Sequence, residues 1–135
     1  MPPGELLIDS CSWVEYFRGT SIGEKVASHI EGSKAVTLNV VMAELSYVLH
    51  CQLKDEEEID RNLARVRFLS RIDGFSEEEA ILAGIIKADL QKTMKRNGSY
   101  ADCIQIAVAR VRGTKVLSKD GIFKVVPEGL YIGEG

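Results

Sequence analysis

Long hydrophobic runs are missing from this 135-residue chain. The apolar stretch Leu6-Leu7-Ile8 is far too short for a signal-peptide core or a membrane span, and Met1-Pro2-Pro3-Gly4-Glu5 before it carries no basic residue. A cytoplasmic protein with no membrane association is expected. Cysteine is scarce: Cys11, Cys51 and Cys103 are odd in number, form no CxxC pair and sit among apolar neighbours. They read as small core hydrophobes of a reducing compartment rather than as a disulfide framework or a zinc site. The two histidines, His29 and His50, are not at ligand spacing and read as structural. No repeat, low-complexity tract or linker interrupts the chain, so residues 1–135 are expected to form a single domain.

An overall basic charge is also absent. The formal net charge of −3 argues against a protein that grips nucleic acid with its whole surface. The charge is unevenly placed, however. Nine basic residues stand against three acidic ones between Lys87 and Lys124, so that stretch is +6 and the remainder −9. For most of these residues a solvated helix face is the plain reading, and a local basic rim is the alternative.

The chain is 45% hydrophobic and 27% charged, the balance of a globular protein. At this length, roughly two thirds of the unfolded surface is buried on folding. Strand-like and helix-like segments alternate, which predicts an α/β domain on a parallel sheet. Leu6–Asp9 reads as a buried strand. Ser12-Trp13-Val14-Glu15 has the form of a capping box and predicts a helix ending at Arg18-Gly19. A second helix is expected from Ser21 to Ile30, then a strand over Lys34–Leu38 and a helix from Val40 to Leu53 capped by Asn39. Further helices are expected over Asp55–Leu69, Glu77–Lys95 and Tyr100–Val111, the middle one opened by the capping box Ser76–Glu79 and ended by Asn97-Gly98. Arg71–Phe75 reads as a brief strand and Lys115–Ser118 as a full one. Lys119-Asp120-Gly121 reads as a turn, and Val125-Val126 and Leu130-Tyr131-Ile132 as the last extended pieces.

In open parallel sheets, sites form at the carboxyl ends of strands. Asp9 ends the first strand, Glu44 lies one turn into the helix after the second, and Asp120 follows Lys115–Ser118. Asp102 starts the helix that leads into that strand. Each acid has a structural alternative: Asp102 could complete a capping box with Ser99, and Asp120 beside Gly121 is an ordinary turn residue. Asp9 after three aliphatics, and Glu44 on an apolar helix face, are harder to explain away, because a buried carboxylate is costly unless paired or metal-bound. Carboxylates gathered in one pocket repel one another unless a divalent cation offsets the charge. Hard oxygen ligands without imidazole or thiolate select Mg²⁺ or Mn²⁺ over zinc.

The segments around these acids resemble a known family. Leu7-Ile8-Asp9-Ser10-Cys11-Ser12-Trp13-Val14-Glu15-Tyr16-Phe17-Arg18-Gly19 resembles the opening of PIN domains of the VapC toxin type. Val40-Val41-Met42-Ala43-Glu44-Leu45 resembles the second motif, Tyr100–Ala109 around Asp102 the third, and Val116–Phe123 around Asp120 the fourth. The four follow in order across nearly the entire chain. Two departures are Ile104-Gln105, where a small, Ala-rich sequence is frequent, and Ser118, where Thr is more usual.

The resemblance implies a three-layer α/β/α PIN-like domain with a small parallel sheet between helices, a homodimer, and metal-dependent hydrolysis of RNA. It also implies a small antitoxin as partner. Asp9 and Asp102 would be the principal ligands, with Glu44 and Asp120 completing the cluster directly or through water. Ser118, Ser10 or Ser12 would hydrogen-bond a ligand carboxylate or the phosphate, or serve ordinary strand-end and cap roles. Lys92, Lys95, Arg96 and Lys119 flank the third and fourth motifs and are candidates for backbone contacts. Trp13, Tyr16 and Phe17 are candidates for a partner groove, with core packing as the alternative. A housekeeping nuclease and a non-catalytic RNA- or protein-binding module are the other readings. Receiver domains and haloacid-dehalogenase-type phosphatases also place an Asp after the first strand. The former need an adjacent acidic pair, and the latter a second Asp two residues on, where Cys11 stands.

Overall fold

Consecutive buried residues mark the strands as covered on both faces. In Glu5–Ile8 (β1), Lys34–Leu38 (β2) and Lys115–Ser118 (β4) every residue after the first is buried, as a parallel sheet between two helical layers requires. Two three-residue strands, Arg71–Asp73 (β3) and Gly129–Tyr131 (β5), close the edges. The computed structural model describes residues 4–133. Residues 1–3 and 134–135 lie outside it. All pairings are parallel, in the order β3-β2-β1-β4-β5. The chain therefore builds outward from β1 to β2 and β3, then returns to place β4 against the other side of β1. The carboxyl ends of β1 and β4 form the switch point of this topology, where α/β sheets bind ligands.

The helices are Ser10–Arg18 (α1), Ser21–Glu31 (α2), Asn39–Gln52 (α3), Glu56–Leu69 (α4), Glu77–Thr93 (α5), Tyr100–Arg112 (α6) and the single turn Ile122–Val125 (α7). Thr20, Asp55, Ser76 and Ser99 supply the side-chain N-caps of α2, α4, α5 and α6, and the Ser76–Glu79 box is complete. Among the described residues no helix is long and apolar enough to cross a membrane.

Several local expectations are corrected. Helix α1 starts at Ser10, two residues before the proposed box, because the Asp9 side chain itself caps it. Ser12 is buried in the first turn, where its Oγ donates to the Leu117 carbonyl at 2.8 Å and ties α1 to β4. Asn39 is the first residue of α3 rather than its cap, and Leu38 precedes it without a side-chain bond. Helix α5 stops at Thr93; Lys95, at φ 51, makes the reversal assigned to Asn97-Gly98, with its neighbour Arg96 donating its N–H to the Leu90 carbonyl. Val125 lies in α7 and is not extended. Only Cys103 is a buried thiol; Cys51 is exposed and Cys11 is half-buried beside polar groups.

The core runs through Leu7, Ile8, Trp13, Val36, Leu45, Ile59, Ile106, Leu117 and Phe123, all at most 1% exposed. Trp13 is wholly interior, its indole Nε1 donating to Thr37 Oγ1 at 3.1 Å. Helices α1 and α2 meet at Gly23, where an added Cβ would stand 2.1 Å from the Glu15 carbonyl oxygen. Only glycine permits that approach.

Candidate active site

Asp9 stands at the switch point, 3% exposed, as the residue between β1 and α1. Its position follows from local chemistry: the strand ends there, its backbone N–H completes the ladder by donating to the Leu117 carbonyl at 3.1 Å, and its side chain caps the helix. Four donors surround the carboxylate. Oδ1 accepts the Ser10 N–H at 2.8 Å and Gln105 Nε2 at 2.9 Å; Oδ2 accepts the Ser118 hydroxyl at 2.7 Å and the Cys11 thiol at 3.4 Å. These contacts satisfy a carboxylate that burial would otherwise disfavour.

The other acids reach Asp9 through its partners. Ser118 Oγ also accepts the Asp120 N–H at 3.0 Å. Gln105 is one turn along α6 from Asp102, and the Ser10 hydroxyl donates to Glu44 Oε1 at 3.4 Å. Asp102 and Asp120 share a surface opening of about 250 Å³ with Arg96, Asn97, Gly98, Ser99 and Ile122. Asp120 is exposed, and its Oδ1 accepts the Ile122 N–H at 3.4 Å, a turn contact. The Asp102 N–H is capped by the Ser99 hydroxyl at 3.1 Å.

The proximity registers in proton affinities. Burial, then the charges of Asp9, Asp102 and Asp120, push the Glu44 carboxyl from its ordinary 4.5 to about 7, against the opposing Ser10 hydroxyl. Burial and the charges of Asp9 and Asp120 push Asp102 to about 6, against its bonds from Ser99. Cys11 is pushed to about 11 by burial and by Asp9. Among the described residues no three His, Cys, Asp or Glu side chains stand close enough together to ligate one ion as they lie. Like-charged carboxylates repel one another, and of the four acids Asp102 and Asp120 line the opening. The donor chemistry nevertheless fits a hard divalent cation: every available acid oxygen is hard, charge repulsion calls for a counter-charge, and the thiol resists ionisation.

Sequence reasoning treated Gln105 only as a departure. It is fully buried and bonded to Asp9, and its Oε1 has no partner among the described residues. A polar residue inside Ile104–Ala109, three positions from Asp102, was the available signal. Of the flanking cations, Lys119 lies 3.6 Å from Glu15 and is thus engaged elsewhere. Arg110 and Arg112 pair with Glu128 and with Asp73 and Glu79. Lys87 donates to the Gly98 carbonyl and covers the Tyr100 ring at 5.0 Å. Lys92, Lys95 and Arg96 are exposed and form no ion pair among the described residues, and Arg96 alone lines the opening with Asp102 and Asp120. Trp13 is too buried to serve a groove. Tyr16 and Phe17 instead join Arg61, Asn62, Ala64, Arg65 and Phe68 around a surface cavity of about 730 Å³, with Phe68 88% exposed.

The profile of the PIN domain family matches residues 6–129. No curated protein matches the chain. Among solved structures, VapBC2 from Rickettsia felis bound to a DNA fragment from their promoter is similar at a TM-score of 0.75 and 15% identity, over 97% of this chain and 99% of that one. A toxin–antitoxin complex from Klebsiella pneumoniae gives 0.73 and 12%, over 96% and 99%. Mycobacterium tuberculosis VapC20, a sarcin-ricin loop cleaving toxin, gives 0.67 and 16%, over 91% and 97%. At these identities the likeness is one of fold.

Proposed function

The chain belongs to the PIN domain family of nucleases, and from that premise we propose that it is a divalent-metal-dependent endoribonuclease acting as the toxin of a toxin–antitoxin pair. The observation that carries this reading is the buried, fourfold-bonded Asp9 at the switch point, with Glu44 and Asp102 raised in proton affinity by their acidic neighbours. Asp9 and Asp102 would hold Mg²⁺ or Mn²⁺, with Glu44 and Asp120 completing the set directly or through water. When bound, the cation supplies counter-charge for the phosphate and a water of lowered pKa for in-line attack.

The chain's own groups do the rest. Ser118 and Ser10 would hold the Asp9 and Glu44 carboxylates in place. Glu44, tied to Ser10 beside Asp9, would orient the attacking water or accept its proton. Arg96 at the rim meets a phosphate of the substrate, with Lys92 and Lys95 nearby on the same segment. Tyr16, Phe17 and Phe68, rimmed by Arg61 and Arg65, offer an antitoxin an apolar, cationic groove.

The test is incubation of the purified protein with single-stranded RNA in Mn²⁺, Mg²⁺ or EDTA, alongside Asp9→Asn. Cleavage is expected only for the wild type with metal, and expression of the wild type alone should arrest bacterial growth where Asp9→Asn does not. Cleavage that survives both the chelator and the substitution sinks the site.

A further inference from the structure

We infer that Gln105 is a positioning residue, whose side-chain amide fixes the Asp9 carboxylate so that Oδ1 stays committed to the fold and Oδ2 faces the reaction. The inference rests on the metal-site reading above. Gln105 is 0% exposed on α6, and its Nε2 donates to Asp9 Oδ1 at 2.9 Å across a sequence separation of 96 residues. Its Oε1 is buried with no partner among the described residues.

An orphaned buried amide oxygen carries an uncompensated desolvation penalty, so an apolar side chain of the same shape would serve packing at least as well. The neighbouring positions Ile106, Ala107, Val108 and Ala109 are apolar and equally buried. What the amide adds is a donor aimed at one carboxylate oxygen. The orphan also fixes which way the amide points: turning it over would set Oε1 against the negative Oδ1.

The four donors around Asp9 divide unequally. Oδ1 receives two N–H groups at 2.8 and 2.9 Å, and neither has another acceptor within the site. Oδ2 receives the Ser118 hydroxyl at 2.7 Å and the Cys11 thiol at 3.4 Å. A thiol is a weak donor, and Cys11 Sγ lies 3.2 Å from Ser118 Oγ as an alternative partner. The Oδ2–thiol contact is therefore the one a cation displaces at least cost. Gln105 prevents the carboxylate from rotating to share its oxygens and leaves Oδ2 as the cation-binding atom. Because Gln105 sits three residues after Asp102 on one face of α6, the same helix sets the spacing between the two acids.

The experiment compares wild type, Gln105→Met, Gln105→Leu, Gln105→His and Asp9→Asn. Mn²⁺ affinity is read by electron paramagnetic resonance without substrate, melting temperature in EDTA, and RNA cleavage as kcat and KM. Gln105→Met and Gln105→Leu are expected to melt within a few degrees of wild type yet bind Mn²⁺ about 10- to 100-fold more weakly, with kcat reduced and KM nearly unchanged. Gln105→His, which keeps a ring N–H donor, should recover part of that affinity. Wild-type Mn²⁺ affinity in the Met and Leu variants overturns the inference while leaving the metal site standing. Loss of the fold in both also overturns it, since Gln105 would then be structural alone. If the wild type binds no Mn²⁺, or binds it as Asp9→Asn does, the metal-site reading itself has failed.

Discussion

Replacing Glu44 by glutamine should stabilise the metal-free protein at alkaline pH, because the wild-type fold carries a carboxylate it holds at a penalty. Burial and the charges of Asp9, Asp102 and Asp120 raise its pKa from 4.5 to about 7. A group whose affinity for protons is higher in the folded than in the unfolded chain favours the fold most at pH below its unfolded value. That contribution is lost as pH rises through about 7. At about 1.4 kcal/mol per pH unit the penalty above neutrality would reach about 3 kcal/mol. Glu44 is only half-buried, and solvent screening brings this to about 1–2 kcal/mol. For a chain of this length the matching rise in melting temperature is about 3–7 °C.

The assay is thermal unfolding of wild type and Glu44→Gln in EDTA across the pH range from acid to alkaline. The variant should gain its full advantage at about pH 8 and almost none at about pH 3.5, below the unfolded value, where the wild-type carboxyl is protonated in both states. Saturating Mn²⁺ should shrink or reverse the gain, since a bound cation stabilises the wild type by mass action and has lost one ligand in the variant. An equal gain at both pH values, or no gain at the higher one, refutes the electrostatic account of the site.

Three further outcomes are expected. Arg96→Ala should raise KM for single-stranded RNA about fivefold with kcat little changed, the loss of about 1 kcal/mol of phosphate contact, and lower the salt dependence of binding by about one ion. Unchanged KM and salt slope would remove Arg96 from the interface. Gly23→Ala should cost about 3 kcal/mol, since its Cβ meets backbone at 2.1 Å. Gly84→Ala, mid-helix in α5 with nothing within 4 Å, should instead stabilise by about 1 kcal/mol; chemical denaturation of both reads the contrast.

What the sequence determined by itself was periodicity and punctuation. The Ser76–Glu79 box, the cap at Ser99, and the bounds of β2 and β4 are local chemistry, each set by residues within a few positions of one another. The local reading failed where distant groups compete for the same atoms. Asp9 caps α1 because β1 ends against Leu117, and Ser12 is drawn into the core by the same strand, so the sequence-local box at Ser12 never forms. Order and spacing placed the four acids, but not their unequal situations: Asp120 in an exposed turn, Glu44 and Asp102 sharing one field, Asp9 saturated with donors. Only the tertiary structure decided that Lys119 answers Glu15 while Arg96 lines the opening, and that Gln105 reaches Asp9. Those pairings join residues tens of positions apart, and hydrogen bonds act over a few ångströms of space, for which distance along the chain is no guide.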